Sequence, residues 1–119
     1  MGSNQATTRT EIPPGTLYML ILQTLVRLGP MHGYGIALYI QQTSADVLQV
    51  EEGSLYPALQ RMLVKGWVTA EWGQSDNNRR ARYYRLTPAG RKQLTVELSE
   101  FQKVMGAIVR VINPAEGTV

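Results

Sequence analysis

The side chains that most enzymes draw on are missing here or stand alone. The 119 residues hold one histidine, His32, and no cysteine. That removes thiolate nucleophiles, disulfides and the Cys/His clusters that bind zinc. No carboxylate pair, nucleophile beside a base, or glycine-rich phosphate loop stands out. An enzyme is therefore not expected, and no metal or cofactor is implied. His32, without a second ligand nearby, reads as a turn or helix-start residue. What remains is the chemistry of hydrogen bonds and charge. From Gly53 to Lys92 there are eight bases (Arg61, Lys65, Arg79, Arg80, Arg82, Arg85, Arg91, Lys92) against Glu71 and Asp76. The rest of the chain carries four bases and seven acids. A basic block inside a weakly acidic frame is the footprint of a polyanion site.

The stretch Glu52–Gly66, EGSLYPALQRMLVKG, lies at the start of that block. Leu55, Ala58, Leu59, Met62 and Leu63 recur at helical spacing and make one apolar face. Ser54, Tyr56, Pro57, Gln60, Arg61, Val64 and Lys65 fall largely off it. Proline lacks an N–H and is tolerated among the first, unpaired donors of a helix. Pro57 therefore predicts a start at Gly53 or Ser54, with one of them as cap. Gly66 supplies the left-handed stop. No acid lies between Gly53 and Gly66, so the outward surface suits a groove lined with phosphates.

The surrounding elements must hold that helix in place. Residues 1–12 are polar and aperiodic, a flexible N-terminal tail. A first helix is predicted from about Thr16 to Leu28. Its apolar residues run almost all the way round, so a chain this short needs a second subunit to cover them. A second helix is expected from about Tyr34 to Ser44, followed by an extended link, Val47–Val50. Trp67–Trp72 and Ala81–Leu86 read as two strands joined by the polar turn Gly73–Arg80. Thr87 as cap and Pro88 at the first helical position open a last helix that ends at Asn113-Pro114. Along it Leu94, Leu98, Phe101, Met105, Ile108 and Ile112 step by alternating fours and threes, a heptad seam. At ~1.5 Å per residue the helix is about 38 Å long, too long to lie wholly on so small a core. Residues 113–119 are expected to form a second flexible tail. No apolar run has the length of a membrane span, and no signal-peptide pattern opens the chain, so a cytoplasmic protein without a membrane partner is expected.

Helix, helix, helix, hairpin, long helix is a mainly α chain with a small β-hairpin. The order is that of a winged helix-turn-helix over residues 13–87 with a long C-terminal dimerisation helix over 88–112. In that arrangement the third helix enters the major groove of double-stranded DNA with its N-terminal residues at the base edges. Ser54, Tyr56, Pro57, Gln60 and Arg61 are then the candidate contacts. Gln60 and Arg61 suit paired hydrogen bonds to bases, and Ser54 and Tyr56 suit phosphates. Arg79, Arg80 and Arg82 on the wing suit the flanking backbone or minor groove. Tyr56 equally fits a boundary core residue, Pro57 a structural one, and Arg85 a partner for an acid. Leu17 with Leu94, Leu98, Phe101, Met105, Ile108 and Ile112 makes the candidate dimer interface. Two such recognition helices require a pseudo-palindromic operator with half-sites about 34 Å apart.

His32-Gly33-Tyr34-Gly35-Ile36, Gly53-Ser54-Leu55-Tyr56-Pro57-Ala58-Leu59, Lys65-Gly66-Trp67 and Arg82-Tyr83-Tyr84-Arg85-Leu86-Thr87-Pro88-Ala89-Gly90 resemble the signature of the PadR-like transcriptional regulators, in order and over roughly Gly15 to Ile112. The single C-terminal helix resembles the short subgroup of that family. The resemblance implies a homodimeric bacterial repressor whose last helix packs against the partner's first and last helices. Some short members bind a flat aromatic or drug-like effector between the subunits, through an aromatic residue on the last helix. Phe101 matches that position, where those members carry tryptophan, and Met19 and Met105 are expected beside it. The competing reading is a winged helix used only to bind protein. It would call for apolar or acidic groove-facing residues, which this chain lacks.

Overall fold

The computed structural model describes residues 10–13 and 15–114. The elements run β1 (Thr10–Glu11), α1 (Leu17–Leu28), β2 (Met31–His32), α2 (Gly33–Thr43), β3 (Leu48–Gln49), α3 (Glu52–Val64), β4 (Val68–Gln74), β5 (Arg80–Leu86) and α4 (Pro88–Ile112). The core lies where four helices meet one sheet. Met19, Ile21, Leu22 and Leu25 of α1 pack with Ile36 and Ile40 of α2, Leu55, Ala58, Leu59 and Met62 of α3, Val68 and Tyr84 of the sheet, and Leu94 of α4. Thr24, the buried polar residue among them, is satisfied because its hydroxyl donates to the Leu20 carbonyl at 2.7 Å.

Each helix starts where its local chemistry allows. The Nδ1 atom of His32 accepts from the Gly35 N–H at 3.0 Å and caps α2, the helix-start role expected of a solitary histidine. Thr87 caps α4 by accepting from Gly90 N–H at 3.0 Å. Its own hydroxyl hydrogen is shared between the Gly66 and Trp67 carbonyls at 2.7 and 2.9 Å. One side chain thus starts the last helix and ties it to the end of α3. Gly29 and Gly66 take positive φ at 76° and 77°, as the ends of α1 and α3 require.

Three features depart from expectation. The wing is part of a three-stranded sheet of order β2-β5-β4, because Met31 and His32 pair with Tyr84 and Tyr83. Thr10 and Glu11, in the stretch expected to be a flexible tail, pair in parallel with Leu48 and Gln49; residues 1–9 of that tail, and 115–119 of the other, lie outside the described residues. Helix α3 starts at Glu52 with Glu51 as cap, ahead of Gly53. Pro57 is its sixth residue, so the proline removes the N–H that would return to the Gly53 carbonyl. Gly53 is exposed, where water can serve that carbonyl, so the helix need not begin later.

The heptad seam of α4 divides in two. Leu94 is buried, and Leu98 packs partly against the core. Phe101, Met105, Ile108 and Ile112 are 38, 40, 44 and 75 % exposed. Val104, Val109 and Val111 beside them are exposed too. Among the described residues, no helix is long and apolar enough to cross a membrane.

Candidate nucleic-acid interface

At 3.6 residues per turn, the buried side of α3 sets what faces outward. Opposite Leu55, Ala58, Leu59 and Met62 fall Gly53, Pro57, Gln60 and Val64, all exposed. Gln60 therefore stands on the crest of the helix. Ser54, Arg61 and Lys65 lie on one flank and Tyr56 on the other, and all four are exposed as well.

The two flanks are held differently. A Cβ built on Gly33 would lie 2.7 Å from Tyr56 Cε1. The Tyr56 ring therefore covers the first turn of α2, and glycine is what allows it. Tyr56 remains 43 % exposed, yet that burial, with Glu52 and then Tyr84 nearby, pushes its hydroxyl pKa above the usual tyrosine value. Tyr56 thus rests one side of its ring on α2 while the rest stays exposed. On the opposite flank, Arg61 Nε donates to the Tyr18 hydroxyl at 2.6 Å. Tyr18 meets Trp67 edge-on at 5.3 Å, and Lys65 Nζ lies 5.3 Å from the Trp67 ring centroid. Glu51 and Glu52 precede this surface, so the acid-free stretch begins only after the helix has started.

On the wing, register sorts the bases. Arg82 stands opposite Trp72, and Arg80 opposite Gln74. Both share the sheet face of the core residues Val68 and Tyr84, but beyond the core's edge. The Arg80 guanidinium lies 4.7 Å from the Trp72 ring centroid. Trp72 itself is 59 % exposed. Arg79 closes the turn, where its carbonyl accepts from Ser75 N–H at 2.8 Å; Asp76 sits in the same turn. Arg85 is on the other face, 4.0 Å from Glu71 in an exposed pair. Glu71 thus offers Arg85 an acidic partner at the surface.

Of the residues expected at an effector site, Phe101 and Met105 are exposed, whereas Met19 is enclosed in the core. A cavity of about 290 Å³ opens elsewhere, between the N-terminal segment and the start of α3, with Ile12, Leu17, Val50 and Ser54 in its wall. Sequence reasoning missed Tyr18 and Trp72. The tyrosine meets Arg61 only after folding brings α1 to α3, so no local signal marks it. The sequence places the tryptophan on a strand, but its position beside Arg80 depends on a register that the sequence leaves open.

Comparison with known proteins agrees with this architecture. Residues 21–96 match the family described as "Transcriptional regulator PadR-like family". A transcriptional regulator from Clostridium thermocellum shares the fold with a TM-score of 0.73 at 27 % identity, covering 81 % of this chain and 92 % of that one. A PadR family transcription regulator from Clostridium difficile R20291 superposes with a TM-score of 0.69 at 26 % identity, over 82 % and 99 % of the two chains. An uncharacterized 37.1 kDa protein in transposon Tn4556 of Streptomyces fradiae is 36 % identical over 98 residues. The match takes in 82 % of this chain but only 26 % of that protein.

Proposed function

This chain belongs to the PadR-like family of transcriptional regulators, and on that premise we propose that it is a cytoplasmic, homodimeric repressor that binds a pseudo-palindromic operator in double-stranded DNA. The observation that carries the reading is the outward face of α3. Gln60 stands on its crest, Ser54 and Arg61 on its flank, and no acid lies between Gly53 and Gly66. An uncharged amide that can donate and accept at once is the side chain that pairs with adenine N6 and N7. Arg79, Arg80 and Arg82, all exposed on the wing, supply the sequence-independent phosphate contacts. The exposed half of the α4 seam supports the dimer. An apolar band of this breadth is out of keeping with a lone chain in water, and a second copy offers the same band in return. Phe101 and Met105 leave apolar surface between the subunits, but Met19 does not join them, so no effector is assigned. Binding by a chain of this kind is not catalysis, and no reaction is proposed.

The test is a gel shift with the DNA upstream of the protein's own gene against a shuffled duplex of the same composition. The reading predicts a retarded band that survives excess shuffled competitor. Equal competition by both duplexes would reduce the protein to a non-specific binder, and no retardation would favour the protein-interaction reading.

A further inference from the structure

The geometry points to Tyr18 as a positioning residue for Arg61, one that presents the guanidinium to a pair of acceptors on the duplex. The inference rests on the DNA-binding reading of α3 and goes beyond it.

An arginine head is a rigid plane with one N–H on Nε and two on each Nη. On a solvated helix flank it samples many rotamers, and fixing it on binding costs conformational entropy. Here the head is already fixed. Nε donates to the Tyr18 hydroxyl at 2.6 Å, and the guanidinium carbon sits 5.7 Å from the Tyr18 ring centroid. The ring cannot swing freely, because Trp67 abuts it at an interplanar angle of 84°, and the Trp67 carbonyl accepts from Thr87 N–H and hydroxyl at 3.1 and 2.9 Å. With Nε engaged, the free edge of the head is the Nη1/Nη2 fork, whose two parallel N–H bonds match two adjacent acceptors. On duplex DNA those are guanine O6 and N7, or two oxygens of one phosphate. The Tyr18 hydroxyl thus does work at the DNA surface without touching DNA, across 43 residues of sequence.

Tyr18→Phe removes the hydroxyl and keeps the ring against Trp67. The probe is a duplex selected by the wild-type protein from a randomised pool. Affinity is measured for wild type, Tyr18→Phe, Arg61→Ala and the double variant, with thermal midpoints and dimer mass recorded for each. The expected result is a loss of roughly two- to tenfold for Tyr18→Phe, the scale of ordering one long side chain on binding instead of beforehand, with a midpoint lowered by no more than an exposed hydrogen bond is worth. In the Arg61→Ala background the same substitution should cost nothing further. Replacing half-site guanines by 7-deazaguanine, or single phosphates by methylphosphonate, identifies the acceptors. The Tyr18→Phe loss should vanish on whichever probe lacks them. An equal loss in both Arg61 backgrounds makes the hydroxyl merely structural and overturns the inference, as does no loss at all. If the wild type selects no duplex, the DNA-binding reading falls and takes this inference with it; selection together with additive losses removes the inference alone.

Discussion

Replacing Gly90 with alanine should break the joint between α3 and α4. Gly90 is buried in the first turn of α4. A Cβ there would stand 2.1 Å from the Trp67 carbonyl oxygen and 2.8 Å from Leu86 Cδ1, where ordinary contact begins at 3.4 Å. The carbonyl would have to retreat by about 1.3 Å, the difference between 3.4 and 2.1 Å. It is backbone, not the end of a flexible side chain. It is also the atom that accepts from Thr87 N–H at 3.1 Å and from the Thr87 hydroxyl at 2.9 Å, so retreat loosens the cap. Overpacking costs about 1–3 kcal/mol and a weakened cap about 1 kcal/mol, against roughly 1 kcal/mol gained by alanine over glycine in a helix. The net is a loss of about 1–3 kcal/mol, or roughly 5–15 °C in thermal midpoint for a domain this size. The control is Gly106→Ala on the same helix, where a Cβ would meet only Arg110 Nη1 at 3.6 Å; it should gain up to about 1 kcal/mol. Thermal unfolding followed by circular dichroism, at one fixed protein concentration, reads both. A Gly90→Ala midpoint at or above that of wild type would refute the close approach and the joint built on it.

Met105→Glu places a charge in the exposed half of the α4 seam. It should shift sedimentation from dimer to monomer with a loss of several kcal/mol if the charge is buried between subunits; a wild type that is already monomeric at micromolar concentration would end that account. Arg79→Ala with Arg80→Ala should weaken cognate and shuffled duplexes about equally and flatten the slope of log affinity against log salt by about one unit or a little more; an unchanged slope would take the wing off the DNA. His32→Ala removes the Nδ1 acceptor that caps α2 and should cost about 1 kcal/mol in denaturant unfolding; no change would mean that water serves Gly35 equally well. Burial beside α2 raises the Tyr56 pKa in the folded state above the ordinary 10.0. The unfolded chain therefore ionises first, so the stability of wild type relative to Tyr56→Phe should be constant below about pH 10 and fall above it. A relative gain at alkaline pH would contradict that sign.

How much of this the sequence disclosed follows from where each signal resides. The long α4 was legible because Thr87-Pro88 and Asn113-Pro114 act locally on the backbone. So was the apolar face of α3, because its period is local too. Pro57 alone points to a later start for α3, whereas an exposed Gly53 carbonyl tolerates its missing partner. The hairpin is longer than its runs of β-formers suggest. Its strands reach Gln74 and Arg80 because Ser75 N–H closes on the Arg79 carbonyl and Asn78 adopts a φ of 62°, a compact turn that a polar run does not specify. Strands of two residues, such as Met31–His32 and Thr10–Glu11, are too short to show a period. The heptad seam was visible as a whole, but which half serves the chain's own core depends on where α1 lies. The Arg61–Tyr18 bond depends likewise on tertiary placement, and no spacing rule joins residues so far apart in sequence.

The account turns on α3 reading base sequence, and Gln60→Ala tests that most directly. Glutamine carries no charge, so its removal leaves the counterion contribution to affinity untouched. Affinities of wild type and Gln60→Ala are titrated over every single-base variant of the selected duplex. The account predicts a loss on the order of 1–3 kcal/mol confined to one base pair in each of two symmetric half-sites about 34 Å apart, with preference relaxed there and non-specific affinity almost unchanged. A uniform loss across all variants, or no loss at any, would contradict it.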